Sequence, residues 1–381
     1  MRIGFDAKRV FFNKTGLGNY GRSLLSALFM RHPNEDYLLY TPRKPSGVFP
    51  DFEAEALNHA EVRAPEFLPA RLFPALWRSF GIGRTLSRDN VSVYHGLSME
   101  IPTGLRKRGI RSAVCIHDLI FLKHPEFYPV IDRQIYNAKF IHACRNADCI
   151  VALSEQTRQD ILNGFQLPPE RVRVIHPTCD PAFTRVADEG EKAAVRERFH
   201  LTQRFILYVG TVNARKNLMT LVRAFKRLGM RGVSLVAVGS GGGYRRGVQN
   251  YVASNGLSDR VFFLDRVSTA DLPALYQQAE VFAYPSFYEG FGLPILEALH
   301  SRVPVVTTRG GCFPEAGGPG SLYVDPLNVD EMAHALRRAL TEPALRESMI
   351  TTGLNHAQPF TPDAFADKAW NMYREIAEGT A

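Results

Sequence analysis

At 381 residues, 45% apolar and 22% charged, the chain is too long for one ordinary core and too apolar to be disordered, and it suits two globular domains. Its formal charge of +8 favours anionic partners, but no helix-turn-helix, finger or RNP-like run is visible, so nucleic acid is not expected. No stretch approaches the ~18 apolar residues of a membrane-spanning helix, and Met1-Arg-Ile-Gly-Phe-Asp6 enters a strand without an apolar leader. The five cysteines, Cys115, Cys144, Cys149, Cys179 and Cys312, are scattered and lack C-x-x-C spacing, which argues for a reducing, cytoplasmic setting and against a zinc site.

Residues 2–6 read as a first strand, 7–17 as a loop, and 18–31 as a helix with Leu24, Leu25, Leu28 and Phe29 on one face. Strand-like runs follow at 36–40, 91–94, 112–117, 148–152 and 171–175, with helices at 132–146 and 155–163. Residues 176–192 hold few apolar side chains and read as a linker. A second series starts at Phe205-Ile-Leu-Tyr-Val209 and continues with strands at 233–238, 261–264, 280–284, 304–307 and 321–324. Helices fit at 216–228, 245–254, 271–279, 291–300, 328–341 and 343–356; Pro359 and Pro362 then break the chain before a last helix, 363–377. Alternating strands and helices imply two doubly wound α/β domains with parallel sheets, 1–185 and 195–358. Such domains bind ligands at the carboxyl ends of their strands.

From Pro69 to Arg88 the chain carries Arg71, Arg78, Arg84 and Arg88 with no acid, among Leu72, Phe73, Leu76, Trp77, Phe80 and Ile82. The segment reads either as a basic amphipathic face for an anionic membrane surface or as a helix packed on its own sheet. Arg106-Lys107-Arg108 with Arg111 forms a second basic cluster.

The most informative stretch is Pro285-Ser-Phe-Tyr-Glu-Gly-Phe-Gly-Leu-Pro-Ile-Leu-Glu-Ala-Leu299. Gly290 and Gly292 allow close approach of the backbone, Phe291 and Leu293 lie beside them, and Pro294 suits a helix start, where free N–H groups attract phosphate. Glu289 and Glu297 stand eight residues apart, about two helical turns. A wholly helical interval would put them about 12 Å apart, too far for the ~5 Å pair of a retaining hydrolase. Val209-Gly-Thr-Val-Asn-Ala-Arg-Lys-Asn217 sets Arg215 and Lys216 where a strand gives way to a helix, a place suited to a diphosphate. Gly16-Leu-Gly-Asn-Tyr-Gly21 matches G-x-G-x-x-G, but Ala7 to Thr15 separate it from the strand, against a dinucleotide fingerprint. Val238-Gly-Ser-Gly-Gly-Gly243 is a further glycine run, and Asp265-Arg266-Val267 follows a strand. His117-Asp118 and His95-Gly96 end strands of the first series, and Ser154 reads as a helix cap.

The Glu289–Glu297 stretch resembles the E-x7-E signature of the retaining glycosyltransferases of family 4 (GT4), and the G-x-x-x-x-R-K-N run ending at Asn217 is similar to theirs. Val303–Val306 and Pro314–Gly318 also look like the family, whereas His300-Ser301-Arg302 departs from its usual small residues. The resemblance implies a GT-B fold, two Rossmann-like domains facing across a deep cleft, with the terminal helix 360–381 joining the N-terminal, acceptor-side domain. It implies that Glu289 meets the donor sugar, that Glu297 binds the ribose, and that Arg215, Lys216 and Gly290 to Leu293 hold the diphosphate, approached by Gly16 and Gly18. Arg266 and Val267 would face the base, and His117 would lie beside the transferred sugar, with Asp118 either orienting its imidazole or meeting the acceptor.

No D-x-D motif stands where a manganese-dependent transferase carries one, so a metal-free reaction is expected, with no cofactor beyond the nucleotide-sugar substrate, and the family resemblance implies front-face transfer with retention. The run from Ile116 through Phe127 and the Glu289–Glu315 region look most like bacterial mannosyltransferases of surface polysaccharide, which use GDP-mannose and a glycan or lipid-linked saccharide acceptor. UDP-glucose or UDP-N-acetylglucosamine transferases, a UDP-sugar epimerase, a silent binding module and an NAD-dependent oxidoreductase remain alternatives at this point.

Overall fold

The computed structural model describes residues 1–65 and 72–379, which form two units: Met1–Thr178 with Phe360–Ala381, and Cys179–Pro359. Residues 69–71 of the basic segment, Arg71 among them, lie outside the described residues.

The first unit is built on seven strands: β1 (Arg2–Asp6), β2 (Asp36–Tyr40), β3 (Ala60–Arg63), β4 (Val93–Gly96), β5 (Arg111–Ile116), β6 (Cys149–Ala152) and β7 (Val172–Val174). All pairs are parallel, in the order β3-β2-β1-β4-β5-β6-β7. Its central strands are buried on both faces, as in Ile3, Phe5, Val114 and Ile150, which is why they read as apolar runs. β3 escaped the sequence reading because Ala-Glu-Val-Arg is an edge strand with mixed polarity.

Two corrections concern the glycine motif. The 7–17 loop contains a short helix, Lys8–Phe12, and Gly16 and Gly18 open the helix Gly16–Arg31 instead of lying in a loop. A Cβ on Gly18 would stand 2.0 Å from the Asn13 carbonyl oxygen, while one on Gly16 would meet nothing within 4 Å. The Gly18 N–H donates to Thr15 O at 2.9 Å and lies 3.3 Å from Asn13 Oδ1. Gly18 is therefore required by helix packing. The terminal helix Pro362–Glu378 packs on the same helix through Arg31–Asp367 (3.0 Å) and a His32–Trp370 stack (4.6 Å).

The second unit has six strands: β8 (Arg204–Val209), β9 (Val233–Val238), β10 (Val261–Leu264), β11 (Val281–Tyr284), β12 (Val305–Thr308) and β13 (Leu322–Val324). They are parallel, in the order β10-β9-β8-β11-β12-β13. The expected linker is not extended. Residues 179–185 belong to this unit: Phe183 meets Tyr276 edge-on at 5.4 Å, and the Ala187 N–H donates to Gln277 Oε1 at 2.8 Å. Helix Glu189–Arg198 follows, started by an Asp188/Glu191 capping box. Its charged surface and single buried side chain, Val195, explain why it looked like a linker. Among the described residues no helix is long and apolar enough to cross a membrane.

The Gly18 geometry gives a stability test. Gly18→Ala is expected to cost about 1–3 kcal/mol through overpacking, whereas Gly16→Ala should be neutral or slightly stabilising. Thermal denaturation of the two variants checks this; equal, small effects would mean that Gly18 is not a packing position.

Candidate functional site

In the second sheet the strand order reverses between β8 and β11, so the segments leaving these two neighbouring strands meet at their carboxyl ends. After β8, Arg215 and Lys216 precede Asn217, which stands in the left-handed region (φ 56°). Asn tolerates that conformation, and its amide donates to Pro285 O at 3.2 Å and Pro326 O at 2.8 Å. After β11, Ser286 is held by Thr308 Oγ1, which donates to its carbonyl at 2.8 Å, and the Phe287 N–H donates to Arg215 O at 2.9 Å. The two segments are thus laced together by backbone and side-chain bonds.

Glu289 is the centre of this lacing. One carboxylate oxygen lies 2.6 Å from Arg215 Nη1 and 2.7 Å from Lys216 Nζ, and accepts from Ser286 Oγ at 2.6 Å and the Tyr284 hydroxyl at 3.2 Å. Burial pulls this carboxyl upward, but Lys216 and then Arg215 overcome it and hold its pKa at about 2. Burial likewise works against the Lys216 ammonium, which Glu289 supports. Arg215 also donates to Tyr288 O at 2.5 Å. The site therefore offers two cations and one carboxylate, all ionised, in a water-poor corner.

Gly292 precedes the helix Leu293–His300 at φ 110°, which excludes a side chain without strain. Phe291 is buried, Pro294 sits in the first turn, and Gly290 joins this start to Glu289. Glu297, on the same helix, accepts from the Tyr276 hydroxyl at 2.9 Å. Burial, with Asp180 adding to it, raises its pKa to about 7. Arg266 and Val267 follow β10, the edge strand, with Arg266 exposed. The glycine run after β9 has a packing cause: a Cβ on Gly239 would stand 2.1 Å from Gly210 O. The sequence reading missed Tyr276, Tyr284 and Ser286, whose hydroxyls hold the two carboxylates; only the position of Ser286 in the quoted motif hinted at it.

In the first unit His117 and Asp118 follow β5 and line a cavity of ≈120 Å³ together with Arg9, Leu17, Glu100 and Lys139. Leu17 reaches this wall; its glycine neighbours Gly16 and Gly18 do not. His117 Nε2 donates to Leu97 O at 2.8 Å, and burial lowers its pKa to about 4, so the ring is neutral near pH 7. The Asp118 carboxylate accepts from the Ile120 N–H at 3.1 Å. His95 belongs to the core, bonded to the Tyr373 hydroxyl (2.7 Å) and the Cys115 thiol (3.1 Å). Ser154 caps its helix through the Thr157 N–H at 3.1 Å.

Comparison with known proteins adds sequence relatives to this geometry. Residues 191–356 match the family model described as Glycosyl transferases group 1, and residues 32–183 match Glycosyltransferase Family 4. The chain is 29% identical to O-antigen chain mannosyltransferase B of Escherichia coli, over 98% of this chain and 100% of that protein. It is 30% identical to alpha-D-kanosaminyltransferase of Streptomyces kanamyceticus, over 70% and 71% of the two chains. Its fold is similar to sucrose-phosphate synthase from Thermosynechococcus elongatus (TM-score 0.77, 21% identity, 100% of both chains). It is also similar to Anabaena HepE in complex with UDP-glucose (TM-score 0.78, 17% identity, 98% and 100% of the chains).

The raised pKa of Glu297 has a definite sign. Between about pH 4.5 and 7 the folded chain keeps a proton on Glu297 that the unfolded chain has lost, so this group's stabilising contribution disappears as pH rises through about 7. Glu297→Gln should match the wild type near pH 4.5 and exceed it at pH 8 by about 1–3 kcal/mol. Denaturant unfolding at both pH values checks this; a difference that does not change with pH would contradict the assignment.

Proposed function

Because the chain belongs to glycosyltransferase family 4 and has the GT-B fold, we propose that it transfers mannose from GDP-mannose to a glycan or lipid-linked saccharide hydroxyl, with retention and without a metal ion. The observation that carries this reading is Glu289 held between Arg215 and Lys216. A diphosphate entering beside these cations shares their charge and frees Glu289 to accept bonds from donor-sugar hydroxyls. As the C1–O bond to the β-phosphate breaks, Arg215 and Lys216 neutralise the leaving diphosphate, a role that a divalent cation plays elsewhere. The acceptor oxygen bonds to C1 on the same face, and its proton passes to the departing phosphate oxygen. Gly290 to Leu293 bring a helix start to the diphosphate, Glu297 takes the ribose hydroxyls, and Arg266 and Val267 border the base. His117 and Asp118 serve the acceptor side, with the neutral imidazole as a hydrogen-bond partner and not as a charge.

Mannose is favoured by the likeness to the mannosyltransferase, which runs over nearly the whole chain. The membrane reading changes in detail. Arg78 is buried in ion pairs with Asp6 and Glu100, contrary to a solvated basic face, while Leu72, Phe73 and Leu76 are exposed. These three, with exposed Arg84 and Arg88, are the residues we assign to an anionic membrane surface at the cytoplasmic face. Sedimentation with anionic vesicles should carry down the protein, and Leu72→Ser with Leu76→Ser should release it.

Turnover with GDP-mannose, UDP-glucose and UDP-N-acetylglucosamine, followed by NMR of the product's anomeric centre, tests the reaction. GDP-mannose should be used, with retention and unchanged rate in EDTA. Glu289→Gln should lower kcat by about 100-fold while GDP binds at least as tightly. Use of a UDP-sugar alone would replace the donor; loss of activity in EDTA with recovery on manganese would overturn the metal-free step.

A further inference from the structure

The first unit carries a second cavity, of ≈250 Å³, beside the one that holds His117 and Asp118; Glu100 and Lys139 line both. Its volume approaches the lower end, about 300 Å³, of small-molecule sites. It lies where the strand order of the first sheet reverses, at the carboxyl ends of β1 and β4. Its wall comes from Asp6 at the end of β1, from the segment Ile101–Thr103, from the π-helical turn Trp77–Gly81, and from the helix Val130–Asn146. Single π-helical turns are rare and frequently stand at functional places. This one buries Trp77 and leaves Phe80 66% exposed in the cavity wall.

The partition between the cavities is deliberately built. Gly96 admits the Glu100 carbonyl, since a Cβ there would stand 2.0 Å from it. Met99 holds φ 55°, a conformation that a side-chain-bearing residue keeps only when its surroundings enforce it. Glu100 accepts from Lys139 at 2.6 Å and from Arg78 at 3.0 Å, and Arg78 also donates to Asp6 at 2.5 Å. The two carboxylates and two cations of the wall are thus matched to one another, which disfavours phosphate and suits a neutral ligand rich in hydroxyls. His142, on the helix Val130–Asn146, also lines this cavity. A pyranose ring suits this wall: its C–H face would pack on Phe80, with its hydroxyls toward Thr103 and Ser79.

We propose that this second cavity binds the sugar residue next to the one being extended, so that the acceptor is an oligosaccharide held in two adjoining subsites. This rests on the transferase reading above.

The test is an NMR titration of the full chain with methyl α-mannoside and with α-mannobiose, in the absence of donor. Mannobiose should bind about tenfold more tightly, the equivalent of one good polar contact. Phe80→Ala and His142→Ala should each remove most of that advantage, with melting temperatures unchanged; the exposure of Phe80 makes its variant safe for folding. Equal affinity for the two saccharides in the wild type, or an undiminished advantage in both variants, would overturn the subsite. Transfer from GDP-mannose that is as efficient to methyl α-mannoside as to mannobiose would overturn it too, while leaving the transferase standing. The tenfold advantage without transfer from any sugar nucleotide would support the subsite and overturn the transferase.

Discussion

Glu289, buried between Arg215 and Lys216, is the interaction on which the second unit's site depends. Taking three charges out of water is expensive, and their mutual attraction repays this only with close geometry and further hydrogen bonds. Ser286 and Tyr284 supply those bonds to the carboxylate, and Tyr288 O takes one from Arg215. The backbone is committed to the same end. Asn217 accepts a left-handed conformation beside the two cations and ties down Pro285 and Pro326. What results is a polar corner whose charges are fixed before any substrate arrives, which is what electrostatic stabilisation of a leaving group requires.

Both units solve the same construction problem. Each has an all-parallel sheet whose strand order reverses, between β8 and β11 in one and between β1 and β4 in the other. The two carboxylates of the second unit, both buried, are then shifted in opposite directions. Cations hold Glu289 ionised against its burial, whereas burial, with Asp180 adding to it, raises Glu297 to about 7 in spite of the Tyr276 hydrogen bond. One helix start thus carries a permanent charge and a titratable one within eight residues.

The parts legible in the sequence were those where chemistry and local order coincide. Buried strands announce themselves as apolar runs, and Arg215, Lys216, Glu289 and Glu297 stand in compact motifs whose spacing survives folding. The features that escaped depend on partners distant in sequence. Arg78 looked like surface charge because its counter-ions, Asp6 and Glu100, are 72 and 22 residues away. Gly18 resembled a phosphate-binding glycine, whereas its need is to clear the Asn13 carbonyl. Helix Glu189–Arg198 buries one side chain and so lacks an apolar stripe to read. Tyr276 and Tyr284 looked like core aromatics, and they are core; only their hydroxyls reach the carboxylates.

We assign Arg215 and Lys216 to a diphosphate cradle. Titration calorimetry of GDP into the wild-type protein and into Lys216→Ala, both in EDTA, tests it most directly. GDP should bind the wild type saturably and the variant at least about tenfold more weakly, as for loss of one charge-assisted contact. Equal affinity for both proteins would contradict it.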